Sequence, residues 1–528
     1  MEISTINRTK TGLFSSLSNQ LTYEQEQLQA FIQAPFNKTS FSQQIMLKSN
    51  QYSDENRATL VQALTQQYTA VEMSESARKN LNLLQNKTTF TITTGHQLSL
   101  FTGPLYFIYK ILHIVKLCRE LKMAYPDNDF VPVFWMASED HDFEEINHFH
   151  LFGKTHAWNS DQKGPVGKFD AKGLATIREE LHQFFQNHPE SEVHSIIDSY
   201  TAETFGAAQF QLVHKLFKDF GLIVIEPDHA ALKKLFVPVI EKELFERFGE
   251  EKVIKTTEKL EQLGYKGQVF PRPINFFYIE KGIRERIQWE NNQFFIEGKG
   301  TFSKEEMQIM LRDFPERFSP NVIFRPVYQE VILPNLCYVG GGGEIAYWLQ
   351  LKTIFDAIDI PFPLIQVRNS LQLVDSTVAK KLAKLNLKFN DFLSDIDQIK
   401  KEYVLHRSEE EVSFEALSQK VQELKTLLKE QLSPIDSQLV SFSEIEGTKL
   451  DKQLDMIQSK VLRVQKQKMD TSMKQLEDVK NKLFPKGNLQ ERVDLFLNYC
   501  PDGNVTQFLE TLYSAIEPFE KDFIVVEI

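Results

Sequence analysis

The most constraining feature is a strand–helix–strand pattern between residues 88 and 145. TTFTIT (residues 88–93) alternates, and VPVFWMA (residues 131–137) is apolar without a break. Between them, the run that starts at Pro104 is apolar almost all round. Strands written as unbroken apolar runs are buried on both faces of a parallel sheet, and the intervening helix supplies the crossover. This predicts a βαβ unit and an α/β, Rossmann-type fold class. LIVIEP (residues 222–227) reads as a third strand; it follows an amphipathic helix around Phe205 to Phe220 that Gly221 would end. PFPLIQVR (residues 361–368) reads as another. Residues 1–85 have helical spacing, while about 151–200 and about 255–315 lack a regular pattern and read as insertions.

At 528 residues the chain exceeds one ordinary core. Its 42 Phe residues favour a large aromatic interior. The composition shifts after residue 370. Leu450, Leu454, Ile457, Val461 and Val464 follow a four–three spacing, as do Leu417, Val421, Leu424 and Leu428. Pro434 and Gly447 would break one long helix into an antiparallel pair. Two readings fit: a protruding coiled coil, or a helical hairpin folded onto the core. The expected division is 1–370 as core with insertions, 371–487 as coiled coil, and 488–528 as a segment returning to the core. FIVVEI (residues 523–528) would return as an edge strand.

The net charge of −12 argues against nucleic acid as a partner, because backbone binding needs a cationic surface. The longest apolar stretch is interrupted by Lys110, His113 and Lys116, so no membrane span is expected. Three scattered cysteines and an N-terminus without signal-peptide order fit a cytoplasmic protein without a disulfide framework or a zinc site.

Three stretches carry the residue types that chemistry needs. The loop in TTGHQLSLFTGP follows the first strand, where open α/β sheets bind ligands. Gly95, His96, Gln97 and Gly103 are its candidates for an anion site, His96 as a donor; a turn that merely starts a helix is the other reading. The second strand ends in SEDHDFEEIN, which crowds Glu139, Asp140, His141 and Asp142 together. They read either as solvated acids opening a helix or as acid–base groups beside the glycine loop. A metal on these acids and His141 matches no known spacing, so no metal ligands are assigned. In RPVYQEVILPNLCYVGGGGEIAYWLQL, Gly340, Gly341, Gly342 and Gly343 precede Glu344 at a helix start. A flexible hairpin and a ligand-facing loop both fit the four glycines. Arg325 would clamp a carboxylate or form a surface ion pair. Gln329 and Tyr347 from the same stretch, and Arg272 and Asn275 from PRPINFFYIEKGIRER, complete the binding candidates.

Taken together, TTGHQLSLFTGPLYFIYK, PVFWMASEDHDFEEIN, RPVYQEVILPNLCYVGGGGEIAYW and NLQERV (residues 488–493) resemble the bacterial bacillithiol-biosynthesis cysteine-adding family, BshC. The resemblance implies a core like class I aminoacyl-tRNA synthetases with connecting-peptide insertions, and a coiled coil that joins a homodimer. It implies a ligase that adds L-cysteine to glucosaminyl-malate in the cytoplasm. ATP is then the expected cofactor, with ADP or AMP as product and Mg as an optional companion. Where family members commonly have Gly-Gly-Pro-Gly-Glu, Gln-Asp and a Gln in the glycine loop, this chain has Gly340–Glu344, Gln329-Glu330 and His96. A nucleotidyltransferase-like protein without ligase activity and a nucleotide-binding coiled-coil scaffold are the alternatives.

Overall fold

The computed structural model describes residues 2–407, 414–468 and 470–528. The chain forms two compact units, Met1–Leu373 with Asn488–Ile528, and Val374–Gly487.

The first unit is built on a five-stranded, wholly parallel sheet: β1 (Thr89–His96), β2 (Asp129–Met136), β3 (Ile223–Ile225), β4 (Asn335–Gly340) and β5 (Leu364–Val367), in the order β5-β4-β1-β2-β3. Thr93 pairs with Val133, and Cys337 pairs with both Ile92 and Leu364. Every residue of β4, and every residue of β1 except His96, is buried, as expected of central strands covered on both faces. The crossover helix α1 (Tyr106–Ala124) starts two residues later than Pro104. Pro104 is held in a bridge to Leu495, and the Leu105 amide donates to the Asp494 carbonyl at 2.9 Å.

β4 runs directly into the four-glycine turn and is a strand that the sequence pattern does not announce. Its first residue, Asn335, is polar and fully buried, yet satisfied. Its Oδ1 accepts from the Thr93 hydroxyl at 2.8 Å, and its Nδ2 donates to Glu330 Oε1 at 2.6 Å. A buried amide with both ends bonded is compatible with a central strand.

Three further expectations are corrected. The stretch at about 255–315 is not irregular: strands Phe276–Glu280, Ile283–Glu290, Gln293–Ile296 and Gly300–Phe302 form an antiparallel meander, extended by Phe318–Pro320. Its register is set by two-residue turns at Lys281-Gly282 and Asn291-Asn292, which glycine and asparagine permit through positive φ. The tail strand Phe523–Glu527 is not an edge. It lies between Glu2–Ile6, a strand where helical spacing was expected, and Leu371–Val374. Phe523 to Val526 are all buried, which neighbours on both sides explain.

In the second unit, α2 (Phe414–Leu432) and α3 (Ser437–Lys468) form an antiparallel hairpin turning at Pro434. Lys429–Glu444 and Lys425–Asp451 pairs, each at 2.7 Å, climb one helix while descending the other. Gly447 does not break α3. A Cβ there would lie 3.0 Å from Lys425 Cε, so the glycine admits the opposing lysine stem. Among the described residues, no helix is long and apolar enough to cross a membrane.

Candidate active site

β1, β2 and β3 step outward on one side of the sheet and β4 and β5 on the other, so strand order reverses between β1 and β4. Open α/β sheets bind ligands at that reversal, beyond the carboxyl ends of the strands. A cavity of about 1000 Å³ lies there, and all five strands contribute to it. Gly95, His96 and Gln97 come from β1 and its end, Trp135, Glu139 and Asp140 from β2 and the turn after it, and Pro227 from beyond β3. Gly341, Gly342, Gly343 and Glu344 follow β4, and Arg368 follows β5. The facing wall comes from the antiparallel insertion and its approach, with Arg272, Phe277, Arg284 and Arg286. The glycine loop, the first half of the acidic cluster and the four-glycine turn thus share one cavity.

At the cavity floor, Gly95 lies between two cations. Lys110 Nζ donates to the Gly95 carbonyl at 3.0 Å and pairs with Glu344 Oε2 at 2.5 Å. On the other side, a Cβ on Gly95 would lie 3.6 Å from an Arg325 guanidinium nitrogen and 3.3 Å from Trp135 Cβ. The Trp135 approach is the tight one, so a side chain here would press on β2. Glu344 also accepts from the Tyr338 hydroxyl at 2.9 Å and the Gly341 amide at 2.8 Å. Burial alone would raise its carboxyl, but the Lys110 ammonium overrides burial and holds it at about 2. Burial pushes the Lys110 ammonium itself down.

His96 lines the cavity but is poorly suited to donate. Burial first, then the neighbouring Lys110 charge, push its imidazole down to about 4, so it is neutral at pH 7. Nδ1 lies 2.9 Å from the Gln97 carbonyl and Nε2 lies 3.0 Å from the Tyr106 hydroxyl. With Nδ1–H donating to that carbonyl, Tyr106 donates to Nε2 and no imidazole N–H remains for an anion. Gly103 is outside the cavity; its φ of +65° and the Ser99 side chain beside it make it a turn residue.

The acidic cluster splits. Glu139 is buried against Lys233, which also donates to the Phe318 carbonyl at 2.7 Å. Burial raises the Glu139 carboxyl against the pull of Lys233. For Asp140, burial is outweighed by hydrogen bonds from His141 and Gln97, which hold it well below the usual carboxylate range. Gln97 donates to Asp140 at 2.8 Å, linking the glycine loop to the cluster. His141 is exposed beside the cavity, with Nδ1 2.5 Å from Arg284. Asp142 is exposed at the start of a short helix and does not line the cavity.

Arg325 opens the helix Arg325–Ile332 and sits among Trp135, Tyr338 and Trp348, 5.4–5.9 Å from their ring centres. It donates to Gln329 at 3.2 Å and to the Tyr347 hydroxyl at 3.4 Å, and among the described residues it has no carboxylate partner. Tyr347 lines the cavity; Gln329 lies behind it, donating to the buried Glu330, which pairs with Lys48. Gly340 ends β4 just below the lining. Asn275 lines the cavity, but both of its ends are engaged, with Glu243, Arg272 and Asn321, so its visible role is to hold the loop that carries Arg272.

Sequence reasoning passed over Lys110, Tyr106, Arg368 and Arg492 as site residues. The available signal was an ionisable residue inside an apolar crossover helix, which a buried site can explain and a plain core cannot. The NLQERV stretch has a specific task. Glu491 makes a bidentate pair with Arg368 at 2.7 and 2.8 Å, both residues buried, and Arg492 reaches the cavity.

Comparison with known proteins gives the family. Residues 1–369 match the family model for the bacillithiol biosynthesis BshC N-terminal Rossmann-like domain, and residues 371–528 match that for its C-terminal coiled-coil domain. A Flavobacterium johnsoniae protein named "Putative cysteine ligase BshC" is 38% identical over 99% of both chains. Proteins of the same name from Flavobacterium psychrophilum and Bacillus cereus are 40% and 29% identical, covering 99% of both chains and 93% and 94% of the two chains respectively. Matched along both its domains and at full length, the chain belongs to the BshC family of bacillithiol biosynthesis.

Proposed function

We propose that this protein is a ligase that joins the carboxyl group of cysteine to the amino group of glucosaminyl-malate, with a nucleotide activating the carboxyl. The observation that carries this reading is the charge inside the cavity. Lys110, Arg272, Arg284, Arg286, Arg325, Arg368 and Arg492 line it against only Glu139, Asp140 and Glu344, in a chain whose net charge is −12. Among the described residues, Arg272, Arg286, Arg325 and Arg492 have no ion-pair partner. Unpaired cations gathered on an acidic protein suit a ligand carrying several negative charges, such as the malate carboxylates or a polyphosphate.

A carboxylate does not acylate an amine until its oxygen can leave, and a bound nucleotide supplies that leaving group. The chain's own residues would do the rest. The incoming ammonium must lose a proton, and Glu139, raised by burial, suits that role better than Asp140, whose depressed carboxyl is a weak base. Asp140 suits holding an ammonium in place. Lys110 and Arg325, on either side of Gly95, would stabilise negative charge developing at the carbonyl. Among the described residues, no group of three or more His, Cys, Asp or Glu is placed to hold a metal. Magnesium would accordingly be bound through nucleotide phosphates.

The test is incubation of the protein with cysteine, glucosaminyl-malate and ATP, following the amide by mass spectrometry and the nucleotide product by chromatography. Amide formation matched one-to-one by ADP or AMP is expected. Nucleotide release that ignores both other substrates would point to a nucleotidyltransferase-like activity, and binding without turnover to a scaffold.

A further inference from the structure

Beside the main cavity lies a second one of about 320 Å³, and the two share His96, Gln97, Tyr106 and Arg492 as a common wall. At ~30 Å³ per water, the smaller space holds on the order of ten waters, which is room for a small amino acid with solvent beside it. Its lining carries one acid and one guanidinium. Glu145 lines only the small cavity, fixed by the Gln97 amide at 3.0 Å. Arg492 lines both, without an acidic partner among the described residues. His148 also lines it, with Nδ1 3.1 Å from Asn147 Oδ1, and Phe149 and Val493 add apolar surface.

We propose that this small cavity is the subsite for the amino-acid substrate, a compact zwitterion. Its ammonium lies toward Glu145, its side chain lies against Phe149 and Val493, and its carboxylate is held at Arg492. The reacting end is then the one presented across the shared wall to the large cavity, where the bulkier anionic partners have space. Holding the amino acid's own ammonium at Glu145, which lines the small cavity and not the large one, keeps it from competing as the nucleophile. The assignment rests on the ligase reading.

It is tested with the full-length protein by titrating L-cysteine calorimetrically and by measuring Michaelis constants for both acceptor and amino acid. Glu145→Gln keeps the shape and removes the charge, while His148→Phe narrows the space. Because both residues are at least partly exposed, the variants are expected to melt like wild type. Loss of a charged hydrogen bond should weaken cysteine binding roughly tenfold in Glu145→Gln, with the glucosaminyl-malate constant unchanged. If wild type binds cysteine and both variants bind it equally well, the subsite is elsewhere. If wild type neither binds cysteine nor consumes it with the other substrates, the ligase reading fails first and the subsite with it.

Discussion

The Lys110–Glu344 pair shows how residue chemistry is coupled to fold at this site. Burial opposes both charges, so the pair's net contribution is smaller than the depression of Glu344 alone suggests. Breaking it from one side is another matter. Glu344→Gln strands the Lys110 ammonium, which is 2% exposed, with only the Gly95 carbonyl and the Tyr106 ring. Uncompensated buried charges cost about 3–5 kcal/mol, and the lower end applies because Glu344 is 27% exposed. Urea unfolding should therefore show a loss of about 3 kcal/mol, partly restored in Lys110→Met/Glu344→Gln; no recovery would mean the two charges act independently. His96 gives a pH signature. Its folded value of about 4 lies below its usual 6.5, so the stability it contributes is complete above pH 6.5 and is lost as pH falls toward 4. His96→Asn should flatten the stability profile in that window by up to about 1.4 kcal/mol per pH unit. An identical slope in the variant would mean that His96 is protonated as easily folded as unfolded.

Among the elements, legibility followed how strongly a segment is forced by its own pattern. β1, β2 and the crossover α1 were readable because β1 alternates, β2 is an unbroken apolar run and α1 is apolar on most of its faces. β4 was not, because Asn335 and the glycines after it look like loop, and only the Thr93 and Glu330 side chains far away in sequence make that asparagine acceptable inside a sheet. The site followed the same rule. Gly95, Asp140 and Glu344 were found from local motifs, whereas Arg368 and Arg492 enter through tertiary packing that no short window contains. The α2–α3 hairpin has a surplus of apolar surface. Leu450, Leu454 and Val461 are half-buried, whereas Ile457 is 55% exposed, with Leu417, Leu424, Phe442 and Val464 also open. The prediction is that this surplus is covered by a second copy of the hairpin, which has matching four–three spacing. Replacing Leu454 and Ile457 with Asp places charges in that seam. Sedimentation should show a dimer in wild type and a monomer in the double variant; the same oligomer in both would remove the hairpin from the interface.

On the scale of the whole molecule, the order of the chain and the order of assembly differ, because the last segment belongs to the first unit. Residues 488–528 bring Glu491 to Arg368, Arg492 to the cavity, and a strand that pairs with Glu2–Ile6. The long excursion of Val374–Gly487 leaves and re-enters that unit at neighbouring points. Gln490 accepts from the Leu373 amide at 2.9 Å and donates to the Leu373 carbonyl at 3.1 Å. Ends this close can be rejoined by a short glycine–serine linker, since the entropy of closing a loop grows only slowly with its length. A chain lacking residues 374–487 but keeping 488–528 should fold, with near-ultraviolet circular dichroism from Trp135 and Trp348, and should bind cysteine as the full protein does. A chain stopped at residue 373 should not. It leaves Arg368 buried without its carboxylate partner, a loss of about 3–5 kcal/mol. It also removes one side of the strand pairing at Glu2–Ile6. Since single domains are stable by only about 5–15 kcal/mol, those losses together suffice to unfold it. If the truncated chain instead melts cooperatively near the wild-type temperature, the returning segment is an attachment and the first unit ends at Leu373.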